Sequence, residues 1–188
     1  YALRNNFISP TEFKPEKLVD ALSEINISFI HNPTINCSET YLNNENVEKE
    51  IRTMDVSRQV SKIATIKEVR EKLVAMQQQM GTEKAIVMDG RDIGTVVFPN
   101  AELKIFMTAS PQARANRRYK ELLERGDEVT FDEVLKNVEE RDHIDSNRKE
   151  SPLRKADGAI ETDNSAMGSE EQLDRINNYA FRVIEAQQ

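Results

Sequence analysis

The sequence predicts an α/β fold, in which helices connect the strands of a parallel sheet. Three short stretches have strand-like sequence and are separated by segments with helical spacing; they cover residues 85–89, 103–108 and 159–162. Strands that alternate with helices form parallel sheets, because each crossover helix returns the chain to the same end of the sheet. A β-rich stretch at 26–47 precedes them and indicates a small inserted sheet.

The elements before residue 85 follow from local signals. Pro15 is expected to open a helix that runs to Ile25, with its apolar residues on one face. Asp55 is expected to cap a helix that runs towards Lys62. Two strands are predicted at 27–31 and 40–42, and a turn follows at 43–44. A longer helix is predicted at 65–80 and is ended by a glycine.

The helices after residue 108 have clear start signals. Ser110 and Pro111 predict the start of a helix that runs to Arg125 and is closed by Gly126. Thr130, followed three residues later by Glu133, has the pattern of a capping box. The helix that it starts is predicted to run to about residue 145, and the last helix starts near residue 169.

Composition excludes several classes of protein. The 188 residues allow a single domain, 1–188, and no stretch of 18 apolar residues suggests a membrane span. One cysteine, Cys37, excludes an internal disulfide framework and favours the cytoplasm. A net charge of −7 argues against nucleic acid as a partner.

The arginines are nevertheless clustered in one segment of this acidic chain. A local basic cluster indicates an anionic ligand such as a phosphate, and the alternative is a helix surface with ordinary ion pairs. The cluster contains Arg114, Arg117, Arg118, Arg141, Arg148 and Arg154.

Two sets of arginines have spacings that suit a phosphate site. Arg141, Asp145 and Arg148 are spaced i, i+4, i+7, so on a helix they would share one face and the carboxylate could orient both guanidinium groups. An exposed ladder of ion pairs would show the same spacing. Arg114 and Arg118, at i and i+4 after the second strand, are expected at the same sheet edge as 89–92.

Acidic residues at this edge suggest further ligand contacts. Asp89, at the end of the predicted strand 85–89, is placed like a carboxylate that holds magnesium directly or through water, and Asp92 like a substrate contact. Either could instead cap the following turn. The sequence contains no G-x-x-x-x-G-K-S/T phosphate loop, since none of its six glycines precedes a lysine.

Several of these motifs together resemble bacterial cytidylate kinases. The resemblance extends from Tyr1 to about Ser165, and the string D-G-R-D-I-G-T-V-V-F-P is long and specific. The motifs that carry it are Met88–Pro99, Lys104–Phe106, Glu140–Arg148, Ser151–Leu153, Glu50–Thr53 and Val69–Arg70.

The resemblance implies a P-loop nucleoside-monophosphate-kinase-like fold and its reaction. Such kinases transfer the γ-phosphoryl group of ATP to CMP or dCMP, with magnesium, giving CDP or dCDP. The stretch 26–47 would be the small sheet inserted in the monophosphate-binding subdomain, and about 114–154 the lid with its flanking helices. We also expect a monomer.

The resemblance also implies roles for individual residues. CMP would be bound by Ser61, Arg70, Arg91, Asp92 and, at the sugar, Asp145. ATP would be contacted by Arg114 and Arg118. The catalytic arginines, directed at the phosphates, would be Arg118, Arg141 and Arg148. We expect Arg148 to be exposed, so that Arg148→Ala would leave the fold largely intact.

The front of the chain departs from the family pattern. Members begin with a strand, a P-loop and a helix, on the order of 30 residues or more, which would precede Tyr1. We therefore expect the natural protein to be longer and these 188 residues alone to be inactive.

Two alternatives stay open: a non-catalytic nucleotide-binding or assembly module without a P-loop, and a kinase for another monophosphate such as UMP. The reading frame upstream of Tyr1 tests the first alternative, because a P-loop encoded there would exclude a module without one.

Overall fold

A computed structural model describes residues 1–186, and the chain forms two compact units. The first unit comprises Tyr1–Met76 and the second begins at Gln77. Helix α3, Lys67–Met80, begins in the first unit and ends in the second. Within the described residues, no helix combines the length and the apolar character needed to cross a membrane. The assignment of the whole chain to one kinase domain stays a prediction.

The first unit contains a small antiparallel sheet, as the sequence predicted. Its strands are β1 (Ile27–Asn32), β2 (Cys37–Leu42) and β3 (Glu45–Asn46), paired in that order. The turn between β2 and β3 is formed by Asn43 and Asn44, with φ values of 49° and 70°. Two consecutive residues with positive φ form the hairpin turn that asparagine tolerates best. The strand β3 that follows the turn was not predicted.

Two helices of the first unit begin close to their predicted positions. Helix α1 spans Pro15–Asp20 and continues as a 3₁₀ turn to Glu24, which confirms the predicted helix. Helix α2 spans Met54–Ile63. The prediction that Asp55 caps it is wrong: the extended residue before the helix is Thr53, and Asp55 lies in the first turn. There its negative charge still interacts favourably with the helix dipole.

The second unit is built on a parallel pair of strands. Strand β4 (Ile105–Thr108) pairs in parallel with β5 (Ile160–Asp163), so that Ile105 lies opposite Ile160. The connection between them contains α4 (Pro111–Glu124) and α5 (Phe131–Asn147), and α6 (Ser169–Ala186) follows β5. A parallel pair with a helical crossover confirms the predicted fold class.

The caps of α4 and α5 are those that the sequence predicted. The Ser110 hydroxyl accepts a hydrogen bond from the amide of Ala113 at 3.1 Å. Thr130 and Glu133 form a reciprocal capping box, in which each side chain accepts a hydrogen bond from the other residue's amide. These bonds satisfy amide groups that would otherwise lack partners at a helix start, and therefore fix where each helix begins.

The strand predicted at 85–89 is absent, which corrects the sequence analysis. No described residue pairs with this stretch, and Lys84 and Ala85 have φ values of 59° and 52°. Val87 is fully exposed. A strand requires a neighbour for its backbone N–H and C=O groups, and consecutive residues with positive φ do not continue an extended chain. The stretch therefore reaches residues 90–97 as irregular backbone.

The packing of α4 gives a matched pair of test positions. Leu122 is completely buried, whereas its neighbour Leu123 is 47% exposed. We expect Leu122→Ala to lower the free energy of unfolding by about 3 kcal/mol, because it removes buried methyl groups and leaves a cavity. Leu123→Ala should cost less than about 1 kcal/mol. Urea unfolding monitored by circular dichroism checks this, and equal losses at the two positions would contradict the packing of α4.

Candidate active site

The site is organised around a tight turn that follows the irregular stretch. Residues Ile93–Val97 form a short π-helical turn, in which the backbone carbonyl of Asp92 accepts from the amide of Val96 at 2.9 Å. Asp92 itself is buried. Lys104, just before β4, donates to the carbonyl of Pro99 at 2.9 Å and so ties the turn to the sheet. Turns of this type occur frequently at functional sites.

Asp145 lies at the centre of the site and contacts two arginines. Its carboxylate lies 3.2 Å from Nε of Arg91, in the segment before the turn, and 3.1 Å from Nη1 of Arg148. Asp145 is only 3% exposed. A buried carboxylate is stable only when opposite charges compensate it, so Asp145 fixes both guanidinium groups in place. It thereby joins the end of α5 to the 90–97 segment.

Arg148 differs from its predicted position in two respects. Helix α5 ends at Asn147, so Arg148 follows the helix instead of continuing its face. The residue is also 7% exposed, whereas we expected an exposed arginine. Both differences have the same cause: Arg148 turns back to bond Asp145 and the carbonyl of Ser151, the latter at 2.9 Å. The predicted exposure of Arg148 is therefore wrong.

Arg141 lies among other cations. Burial lowers the pKa of its guanidinium, and the positive charges of Arg91 and Arg118 lower that pKa further, while Asp145 and Asp142 oppose the shift. Two arginines therefore act electrostatically on a third, which is partly buried. Such a concentration of positive charge is compensated best by an anion of several charges, such as a nucleotide phosphate chain.

The arginines of α4 are oriented by carboxylates as well. Both Nη atoms of Arg114 donate to the two oxygens of Asp142, with the first contact at 2.8 Å, and this pair joins α4 to α5. The hydrogen bonds with Asp142 raise the pKa of Arg114. Arg118 forms an ion pair with Glu121 at 2.9 Å. Sequence reasoning missed Asp142, although its spacing of i, i+3 from Asp145 placed it on the same helix face.

Two further predicted residues, Ser61 and Arg70, lie in the first unit. Ser61 is on α2 and Arg70 on α3. Ser61 is 3% exposed, and its hydroxyl oxygen has no hydrogen-bond partner among the described residues. Buried hydroxyl groups nearly always have a partner, so this one is suited to a ligand. Arg117, by contrast, donates to the side-chain oxygen of Asn164 at 3.1 Å, directly after β5.

The structure provides no preformed metal cage in the described part of the chain. No group of three or more histidine, cysteine or acidic side chains there could hold a metal ion. Asp89, the predicted magnesium residue, is exposed. A single exposed carboxylate supplies too few ligands for a metal site built by the protein alone.

A parallel sheet with crossover helices and a cluster of arginines is typical of proteins that bind nucleotide phosphates. Comparison with known proteins gives the family. A family model described as cytidylate kinase matches residues 2–182. The chain therefore belongs to the cytidylate kinase family, phosphotransferases that act on nucleoside monophosphates, which confirms the family and the enzyme class predicted from sequence.

Curated relatives cover most of the chain. A cytidylate kinase of Flavobacterium johnsoniae is 59% identical over 173 residues, which are 92% of this chain and 75% of that protein. One from Flavobacterium psychrophilum is 58% identical over 95% of this chain and 80% of the relative. One from Bacteroides thetaiotaomicron is 50% identical over 98% of this chain and 80% of the relative.

The burial of Arg148 leads to a prediction about stability. Arg148→Ala leaves the buried Asp145 carboxylate with less compensation, so the free energy of unfolding should fall by about 3 kcal/mol. The exposed neighbour Lys149 is the control, and Lys149→Ala should change the free energy of unfolding by less than about 0.5 kcal/mol. Denaturant titration of both variants is the measurement. An Arg148→Ala variant as stable as the Lys149→Ala variant would show that the Asp145 pair contributes nothing.

Proposed function

We propose that this protein transfers the γ-phosphoryl group of ATP to CMP or dCMP, giving CDP or dCDP. The observation that carries the proposal is the cluster around Asp145, which places Arg91 and Arg148 on one buried carboxylate beside Arg141. The family match over residues 2–182 supports the same reaction. Phosphoryl transfer needs positive charge placed around the phosphates more than it needs covalent help from the protein.

The arginines would act by positioning and by charge stabilisation. We assign Arg118, Arg141 and Arg148 to the phosphates that react, where their N–H groups would stabilise charge on the transferred group. Arg114, with Arg118, would contact ATP. The fixed carboxylate partners keep these side chains oriented before substrate binds, which lowers the entropic cost of reaching the reactive geometry.

The cytidine monophosphate would be held by residues near the turn and on α2 and α3. We assign Arg91 and Asp92 to CMP and Asp145 to its sugar, in addition to the contact of Asp145 with the arginines. Ser61 and Arg70 are assigned to the same substrate, and the buried hydroxyl of Ser61 supports its assignment. The small sheet β1–β3 would belong to the monophosphate-binding subdomain, and residues 114–154 to the lid.

Magnesium is the proposed metal, bound mainly by the ATP phosphates. When bound, it would neutralise phosphate charge and orient the γ-phosphoryl group. Asp89 could contribute one oxygen ligand, directly or through water. Action in the cytoplasm as a monomer, and the inactivity of these 188 residues alone, stay predictions.

Steady-state kinetics of the complete gene product tests this function. With ATP and magnesium, a coupled assay over CMP, dCMP, UMP and AMP should give the highest kcat/KM for CMP or dCMP, and UMP and AMP should be poorer by at least about tenfold. A preference for UMP or AMP would contradict the proposed substrate. Tight binding of CMP with no turnover would support the alternative, a non-catalytic nucleotide-binding module.

A further inference from the structure

Asp142, which has no role assigned above, makes a two-point contact with Arg114. Arg114 lies in the first turn of α4, and Asp142 lies near the end of α5. The guanidinium and carboxylate groups face each other through two parallel contacts, one of them 2.8 Å long. The two side chains are 30% and 26% exposed, so solvent screens the pair only in part.

A third contact completes the fixation of Arg114. Its Nε donates to the backbone carbonyl of Ala109 at 3.2 Å. Ala109 directly follows β4, so this bond places the guanidinium at the carboxyl end of a parallel strand. Ligands of open α/β sheets bind at that end of the strands.

The three contacts still leave donors for a ligand. An arginine has five N–H groups, of which Arg114 uses one at Nε and one on each Nη atom. Two N–H groups therefore remain on a guanidinium whose plane and position are already set. A guanidinium held in this way loses little side-chain entropy when it binds a phosphate oxygen.

Asp142 also affects the neighbouring cations. Burial and the charges of Arg91 and Arg118 lower the pKa of Arg141. The negative charge of Asp142 opposes this shift and favours the protonated form of Arg141. One carboxylate therefore orients Arg114 and reduces the repulsion within the arginine cluster. An ordinary surface ion pair, such as that of the exposed residues Lys136 and Glu140 on α5 at 3.9 Å, has neither property.

We propose that Asp142 is a positioning residue, which orients Arg114 so that its two remaining N–H groups meet the phosphates of ATP. This inference rests on the proposed function, because it takes ATP as the ligand of Arg114. For ATP binding, Asp142 acts through Arg114, and it is not expected to contact either substrate.

The test is Asp142→Asn, which removes the charge and keeps the shape of the side chain. In the complete gene product, the KM for ATP should rise about tenfold, because a charge-assisted contact that orients the arginine is lost. The KM for CMP should stay within about twofold of the wild type, since no CMP residue is displaced. Glu140→Gln, which removes a charge from the same helix, should change neither constant.

A double-mutant cycle with Arg114→Ala separates positioning from a structural role. If Asp142 acts only through Arg114, then Asp142→Asn should have no further effect on the KM for ATP in the Arg114→Ala background. Should the Asn variant fail to fold, Asp142→Glu, which displaces the carboxylate by one methylene group, should still raise the KM for ATP by at least about threefold.

The outcomes that overturn the inference are distinct from those that overturn the function. Positioning by Asp142 would be excluded if the KM for ATP were unchanged in both Asp142 variants. It would also be excluded if the KM values for ATP and CMP rose equally, or if the effects of Asp142→Asn and Arg114→Ala on the KM for ATP were fully additive. Failure of the wild-type protein to phosphorylate CMP would instead contradict the proposed function.

Discussion

The site depends on one buried carboxylate. Asp145, 3% exposed, contacts Arg91 from the segment after the irregular stretch and Arg148 from beyond the end of α5. An unpaired carboxylate at this depth would cost several kcal/mol, so the structure around it is constrained to supply cations. That requirement ties two distant segments of the chain together and sets where the arginines of the site can lie.

The same carboxylate explains how many arginines can share a small volume. Arg141 is partly buried near Arg91 and Arg118, an arrangement that repulsion opposes, and Asp145 and Asp142 compensate it only in part. The remaining positive charge is what an anionic ligand would neutralise. Cations held in place before the ligand arrives need little rearrangement in the transition state, which is how fixed charges accelerate phosphoryl transfer.

Sequence reasoning succeeded where the signals were local. The caps at Ser110 and Thr130 and the turn at Asn43–Asn44 are determined by residues within a few positions of each other. It failed where the conformation depends on contacts beyond the local sequence. Residues 85–89 have strand-like sequence but no paired strand among the described residues. Arg148 leaves the helical face because it bonds Asp145 and the carbonyl of Ser151. Asp142 was missed because its partner Arg114 lies on another helix.

The coupling between Arg91 and Asp145 tests most directly whether this carboxylate organises the site. The measurement is a double-mutant cycle of Arg91→Gln and Asp145→Asn, read as the dissociation constant of CMP by titration calorimetry. We expect strong non-additivity, with a coupling free energy of about 1–2 kcal/mol, because either change disrupts the same pair. Additive losses, with a coupling free energy near zero, would contradict the central role of Asp145.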